Sequence, residues 1–205
     1  MIVKVCGLTR DDISQQLYLL NGIDMVGFNF YRFSPRYIDY KVLRMPDEEK
    51  VASVGVFVGE KIDKVKEIVK ALSLNYVQLH SLEDQTYINE CLEFCKVIKA
   101  IGIETVDDIK KAEDFEGCSY LLFDKKSKEH GGTGKKFDWE LIKHYEGETP
   151  FLIAGGIGPE DVKAIKELNH PMFAGIDINS KFEDSPGIKN VNLIAQFLEN
   201  LKNEI

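Results

Sequence analysis

The sequence predicts a single-domain α/β protein over residues 1–205, with strand–helix units closed into a (β/α)8 barrel. Three observations predict it. Short apolar runs rich in β-branched and aromatic residues alternate with amphipathic stretches, which implies parallel strands with helices outside. Most runs are nearly continuous in apolar residues, as strands buried on both faces are. About eight such units fit the 205 residues, near the lower size limit of this fold. A doubly wound open sheet is the alternative arrangement of the same units.

The elements follow in order. "IVKVC" (2–6) is the first strand and "DDISQQLYLLNG" (11–22) the first helix. "MVGFNF" (25–30) is the second strand. Its helix, "IDYKVLRMPDEEK" (38–50), is poor because Pro46 breaks it. "VASVGVFV" (51–58) leads into a good helix, "EKIDKVKEIVKAL" (60–72). "YVQLH" (76–80) and "KVIKAI" (96–101) are strands four and five, with "ETVDDIKKAEDF" (104–115) as a helix. "YLLFD" (120–124) and "FLIAGG" (151–156) are strands six and seven. "GPEDVKAIKELN" (158–169) starts as a helix should, with Pro159 in the first turn and acidic residues just after it. "MFAGIDI" (172–178) is strand eight, and "VNLIAQFLENLKN" (191–203) the final helix. No linker, low-complexity tract or composition shift divides the chain.

Composition is that of an ordinary globular protein, 44% hydrophobic and 29% charged. A net charge of -8 argues against non-specific nucleic-acid binding. The start of the chain lacks a basic region followed by an apolar run, so no signal peptide is read there. No apolar run approaches the roughly 20 residues of a membrane span. These features predict a cytoplasmic protein without membrane or nucleic-acid partners. The four cysteines, Cys6, Cys91, Cys95 and Cys118, form no CxxC pair and have no histidine cluster beside them, which argues against a structural metal site. All four are expected as free thiols in a reducing cytosol. Cys91, Cys95 and Cys118 read as small core residues, with Cys95 at the start of a strand.

In a barrel the active site lies where strands end and helix-bound loops begin. The strand ends here are Cys6, Asn29, Val58, His80, Asp124, Gly155 and Asp177. Side chains alternate along a strand, so Lys4 and Cys6 share a face, as do Leu122 and Asp124. Phe173, Gly175 and Asp177 are expected to share another. Val3 and Val5 suit packing against helices, which turns Lys4 and Cys6 inward. Cys6, Asp124 and Asp177 then converge at one mouth, where a thiol and a carboxylate make a base and acid pair.

At this point an ordered series of segments resembles one family. "KVCGLTR", "FSPRYI", "VGVFV", "VQLH", "LLFD" followed by "GGTGKKFDW", "IAGGI" and "GIDINSKFEDSPGIKN" are similar to phosphoribosylanthranilate isomerase of tryptophan biosynthesis, over essentially the whole chain. The resemblance implies a TIM barrel, a phosphorylated small substrate, and an Amadori rearrangement without cofactor or metal. It implies Cys6 as general base and Asp124 as general acid. The base must work as thiolate and the acid must hold its proton, although free groups titrate near 8.5 and 4. Lys4, one inward position below Cys6, helps the thiolate or forms an ion pair in the barrel.

The resemblance also implies a substrate-binding set. Arg36, in the loop after strand two, meets the substrate's carboxylate with its planar fork. Asp177 contacts the amine or hydroxyls. Gly155 and Gly156 after strand seven, with Ser180 after strand eight, bind the phosphate. Asn179 and Lys181 depart from the family's usual "DVSSG", and Ser81 stands where glycine is common. "DKKSKEHGGTGKK" (124–136) lacks P-loop spacing and reads as a mobile loop over the mouth, its lysines either attracting an anionic substrate or forming a solvated charge run. His80 is expected to order the mouth by hydrogen bonding. Two rivals remain at this stage: the histidine-pathway sugar-phosphate isomerase, which uses an aspartate where Cys6 stands, and a non-catalytic barrel serving as a binding subunit. Monomer and homodimer are both open.

Overall fold

Every apolar run read as a strand becomes one in the computed structural model, which describes residues 1–43, 45, 51–126 and 136–203. The strands are β1 (Ile2–Cys6), β2 (Met25–Asn29), β3 (Ala52–Phe57), β4 (Tyr76–Leu79), β5 (Lys96–Ile103), β6 (Tyr120–Lys125), β7 (Phe151–Ile153) and β8 (Phe173–Ile178). They pair in chain order, all parallel, and β8 pairs back onto β1 to close the barrel. The alternative of an open doubly wound sheet is thereby excluded.

Closure explains the continuous apolar runs, because both faces of each strand are buried. Outward residues such as Val3, Val5, Phe28, Val77, Leu121 and Ile176 pack into one core beneath the helices. Inward residues Met25, Val54, Ile98, Ala100, Leu122, Leu152 and Ala154 fill the barrel itself. The helices are α1 (Asp11–Tyr18), α2 (Ile62–Leu72), α3 (Gln85–Leu92), α4 (Val106–Lys111), α5 (Val162–Glu167) and α6 (Val191–Lys202). In α2 the buried residues Val65, Ile68, Val69 and Leu72 recur at helical spacing, so one stripe faces the strands. Thr105 and Asp108 form a reciprocal capping box on α4, and Asn190 caps α6. Pro159 opens a short 3-10 turn that leads into α5, where the sequence places a helix start.

The structure departs from the sequence reading after β2 and in the face Phe173 takes, and it adds α3 and a 3-10 helix after β6 that the reading did not name. After β2, residues 30–43 form turns and no α-helix. Pro35 disfavours helix just before it, and Ile38 is held extended by its N–H on the Asn29 carbonyl. After β6, the described residues give only a 3-10 helix, Trp139–His144, with Gly147 and Pro150 close behind. Phe173 does not share a face with Asp177. The β7–β8 register slips between Phe151 and Leu152, so Phe173 joins the outer core while Asp177 stays inside.

The cysteines are free, with Cys6, Cys91 and Cys118 buried and Cys95 partly exposed just before β5. Outside the barrel, Lys99 and Glu83 are 2% and 8% exposed and pair at 2.8 Å. Lys99 also donates to the Ser81 carbonyl, and Glu83 accepts from the Gly59 and Ser81 amides. The pair thus ties the loops after β3 and β4 to β5. Glu83→Ala leaves a buried ammonium uncompensated and is expected to lower stability by about 3–5 kcal/mol. Urea denaturation measures this, and an unchanged midpoint at unchanged slope would refute it.

Candidate active site

The barrel interior brings Cys6 and Asp177 together from neighbouring strands. Register sets Lys4 opposite Asp177 across the β1–β8 seam. Lys4 is fully buried, and its Nζ lies 2.8 Å from Asp177 Oδ2. The same ammonium favours the Cys6 thiolate electrostatically. On the other side Gly27 pairs with Cys6, and a Cβ there would lie 2.8 Å from Sγ. Only a residue without a side chain leaves the thiol its place. Asp177 Oδ1 is buried and has no hydrogen-bond partner among the described residues.

Asp124 sits across the mouth at the end of β6. Its Oδ1 accepts from the Lys125 amide at 2.7 Å, and its Oδ2 lies 3.5 Å from His80 Nε2. His80 is set in turn by Gln78, whose Nε2 lies 3.3 Å from Nδ1. Gly155 has φ +83°, and a Cβ there would stand 2.6 Å from Asp124 Oδ1. Gly155 is therefore required by the neighbouring carboxylate as well as by its turn. Gly156 follows at φ +66°, and Ser180 opens a short turn, Ser180–Phe182, after β8. These two loops leave adjacent strands and line one side of the mouth.

Arg36 is held by a braced loop. Asn29, at the end of β2, accepts from the Tyr31 amide and donates to Ser34 Oγ, which accepts from the Arg36 amide. Gly7 lies beneath it, where a Cβ would meet Arg36 Cδ at 2.6 Å and Asn179 Oδ1 at 2.8 Å. The guanidinium is already engaged. Its Nε lies 2.9 and 3.1 Å from the two Glu183 oxygens, and its Nη2 lies 2.6 Å from Oε2. Glu183 and its partner Lys189 are the residues the sequence reading missed. They face each other in a small hairpin, β9 (Glu183–Ser185) and β10 (Ile188–Lys189). The readable signal was opposite charges on either side of the "SPG" turn.

Burial dominates the electrostatics. It pushes the Cys6 thiol above its ordinary range, and Lys4 counters only in part. Lys4 sits where the alternation of β1 places it, one inward position below the thiol. Burial likewise raises Asp177 against the pull of Lys4. Burial works against the Lys4 ammonium, but Asp177 and Cys6 outweigh it and hold its pKa up. Burial also opposes the Glu183 carboxylate, yet Arg36 and Lys189 keep it below the usual range.

Most of the loop 124–136 read as mobile falls outside the described residues. Among those described, no group of His, Cys, Asp and Glu is arranged to hold a metal ion, and no helix is long and apolar enough to cross a membrane.

The chain's likeness to known proteins covers the same residues. The model of a family described as N-(5'phosphoribosyl)anthranilate (PRA) isomerase matches residues 3–200. A Parabacteroides distasonis protein named N-(5'-phosphoribosyl)anthranilate isomerase is 38% identical over 98% of this chain and 93% of its own. The crystal structure of phosphoribosyl anthranilate isomerase from Thermotoga maritima superimposes with a TM-score of 0.83, at 33% identity over 98% of this chain and 99% of that one. A complex of such an isomerase with reduced 1-(o-carboxyphenylamino)-1-deoxyribulose 5-phosphate superimposes with a TM-score of 0.80, at 30% identity and the same coverage. A barrel that matches from its first strand to its last helix, with a thiol and a carboxylate at its mouth, leaves one assignment: the chain belongs to the N-(5'-phosphoribosyl)anthranilate isomerase family.

Proposed function

We propose that the chain isomerises N-(5-phosphoribosyl)anthranilate to 1-(2-carboxyphenylamino)-1-deoxyribulose 5-phosphate in tryptophan biosynthesis, with Cys6 as general base and Asp124 as general acid. The reaction is an intramolecular aldose–ketose redox step that needs no cofactor. The observation that carries this reading is a buried thiol and a rim carboxylate at one barrel mouth.

The steps follow from the residues. Asp124 gives a proton to the ribose ring oxygen, the C1′–O bond breaks, and the nitrogen lone pair forms the C1′=N Schiff base. The Cys6 thiolate then takes the C2′ proton. Those electrons become the C1′=C2′ bond of an enolamine and return the nitrogen to neutrality. The enol hydroxyl loses its proton and C1′ gains one, giving the C2′ ketone. Asp177 Oδ1, buried and unpartnered, suits a donor on the substrate such as its amine or a hydroxyl. Gly155, Gly156 and Ser180 suit the phosphate, since close backbone approach needs small residues. Cys6 argues against the histidine-pathway rival, and a purely binding barrel needs neither Cys6 nor Asp124.

Adding freshly made phosphoribosylanthranilate and following the loss of its fluorescence tests the reading. A rate no faster than the spontaneous one would end it. Arg36→Met is expected to raise KM tenfold or more with a smaller fall in kcat, because the carboxylate lies far from the migrating proton. An unchanged KM would return Arg36 to a structural role.

A further inference from the structure

We infer that Glu183 and Lys189 position Arg36 for the substrate's carboxylate, holding it side-on and leaving the cluster one net positive charge. The inference rests on the reading of Arg36 as the carboxylate ligand.

The geometry carries the first half. A guanidinium has five N–H donors in a rigid fork. Glu183 takes the Nε and Nη2 edge, with contacts of 2.9, 3.1 and 2.6 Å. The edge formed by Nη1 and the second Nη2 hydrogen is left for another planar carboxylate. The other Glu183 contacts fix its orientation, since Oε1 also accepts from the Gly187 amide at 3.1 Å and from Lys189 Nζ at 2.6 Å.

Charge carries the second half. Arg36 and Glu183 alone would be a neutral pair, with no net charge to draw an incoming anion to that edge. Lys189 has a fully buried side chain and donates a second bond to Asn179 Oδ1 at 2.6 Å. Burial lowers the pKa of its ammonium, and Glu183 offsets that only in part. Two cations and one anion leave one positive charge. Screening is weak at this depth, so that charge acts directly on a carboxylate at the free edge. A phosphate-bearing sugar without the ring carboxylate would not use it.

The test measures binding by calorimetry with two stable ligands. One is reduced 1-(2-carboxyphenylamino)-1-deoxyribulose 5-phosphate, and the other is its phenylamino counterpart without the carboxylate. Lys189→Met is expected to cut the preference for the carboxylate tenfold or more, with phenylamino affinity within about twofold of wild type. Adding Glu183→Gln to Lys189→Met brings the net charge back to one and keeps an acceptor for Arg36. That double variant should regain most of the preference. If the double variant is no better than the single, or both ligands weaken together, Lys189 serves only the hairpin and the inference fails. Should Lys189→Met not fold, Lys189→Gln keeps the hydrogen bonds without the charge and gives the same comparison. Arg36→Met separates the two readings: if it leaves the preference intact, the carboxylate lies elsewhere and the underlying assignment falls first.

Discussion

Cys6→Ser is expected to lose about two to four orders of magnitude in turnover, the usual contribution of an acid–base group. Serine nearly fills the space between Lys4 and Gly27, so binding should change little. Its hydroxyl is far too weakly acidic to exist as an oxyanion at neutral pH. The pH dependence carries its own sign. The active form of the base is the thiolate, and burial moves the thiol pKa upward. The thiolate fraction therefore grows with pH, and kcat/KM of the wild type should keep rising past about pH 8.5, where a free thiol titrates. In Cys6→Ser that rising limb should vanish. Steady-state kinetics across pH decide the matter, and turnover within tenfold of wild type would remove Cys6 from the mechanism.

Asp124→Asn is the second large effect, again about two to four orders of magnitude. Asparagine keeps the shape and still accepts from the Lys125 amide, but it has no acidic proton for the ring oxygen. What activity remains should come from substrate whose ring has opened spontaneously, turned over through Cys6. Wild-type turnover in Asp124→Asn would identify another acid. Asp177 would be the next residue to test, and the Asp124 carboxylate already bears on it electrostatically.

How much of this was legible depended on how local the cause was. The strands read clearly because burial on both faces leaves a continuous apolar run, and alternation then turned Lys4, Cys6 and Asp124 inward. The helix read after strand two was less legible, since Pro35 acts within a short segment whose fate depends on what it packs against. Phe173 misled because a register slip between β7 and β8 is a property of two strands, and neither shows it alone. Glu183 and Lys189 lie beyond the barrel strands in a hairpin only a few residues long, and their partner Arg36 is 147 residues from Glu183. The rise in the thiol's pKa was illegible for a different reason. Lys4 beside Cys6 can be read from alternation, but desolvation is the sum of everything packed around the sulfur.

The ion pair beside the thiol also lies on the seam where the barrel closes. Lys4 and Asp177 are 173 residues apart and meet only when β1 pairs with β8. Lys4 and Gly27 are near Cys6 in sequence, but Asp177 joins them only when the last strand docks on the first. Onset of isomerase activity during refolding is thus a clock for ring closure, and it should lag behind any signal from helix formation alone.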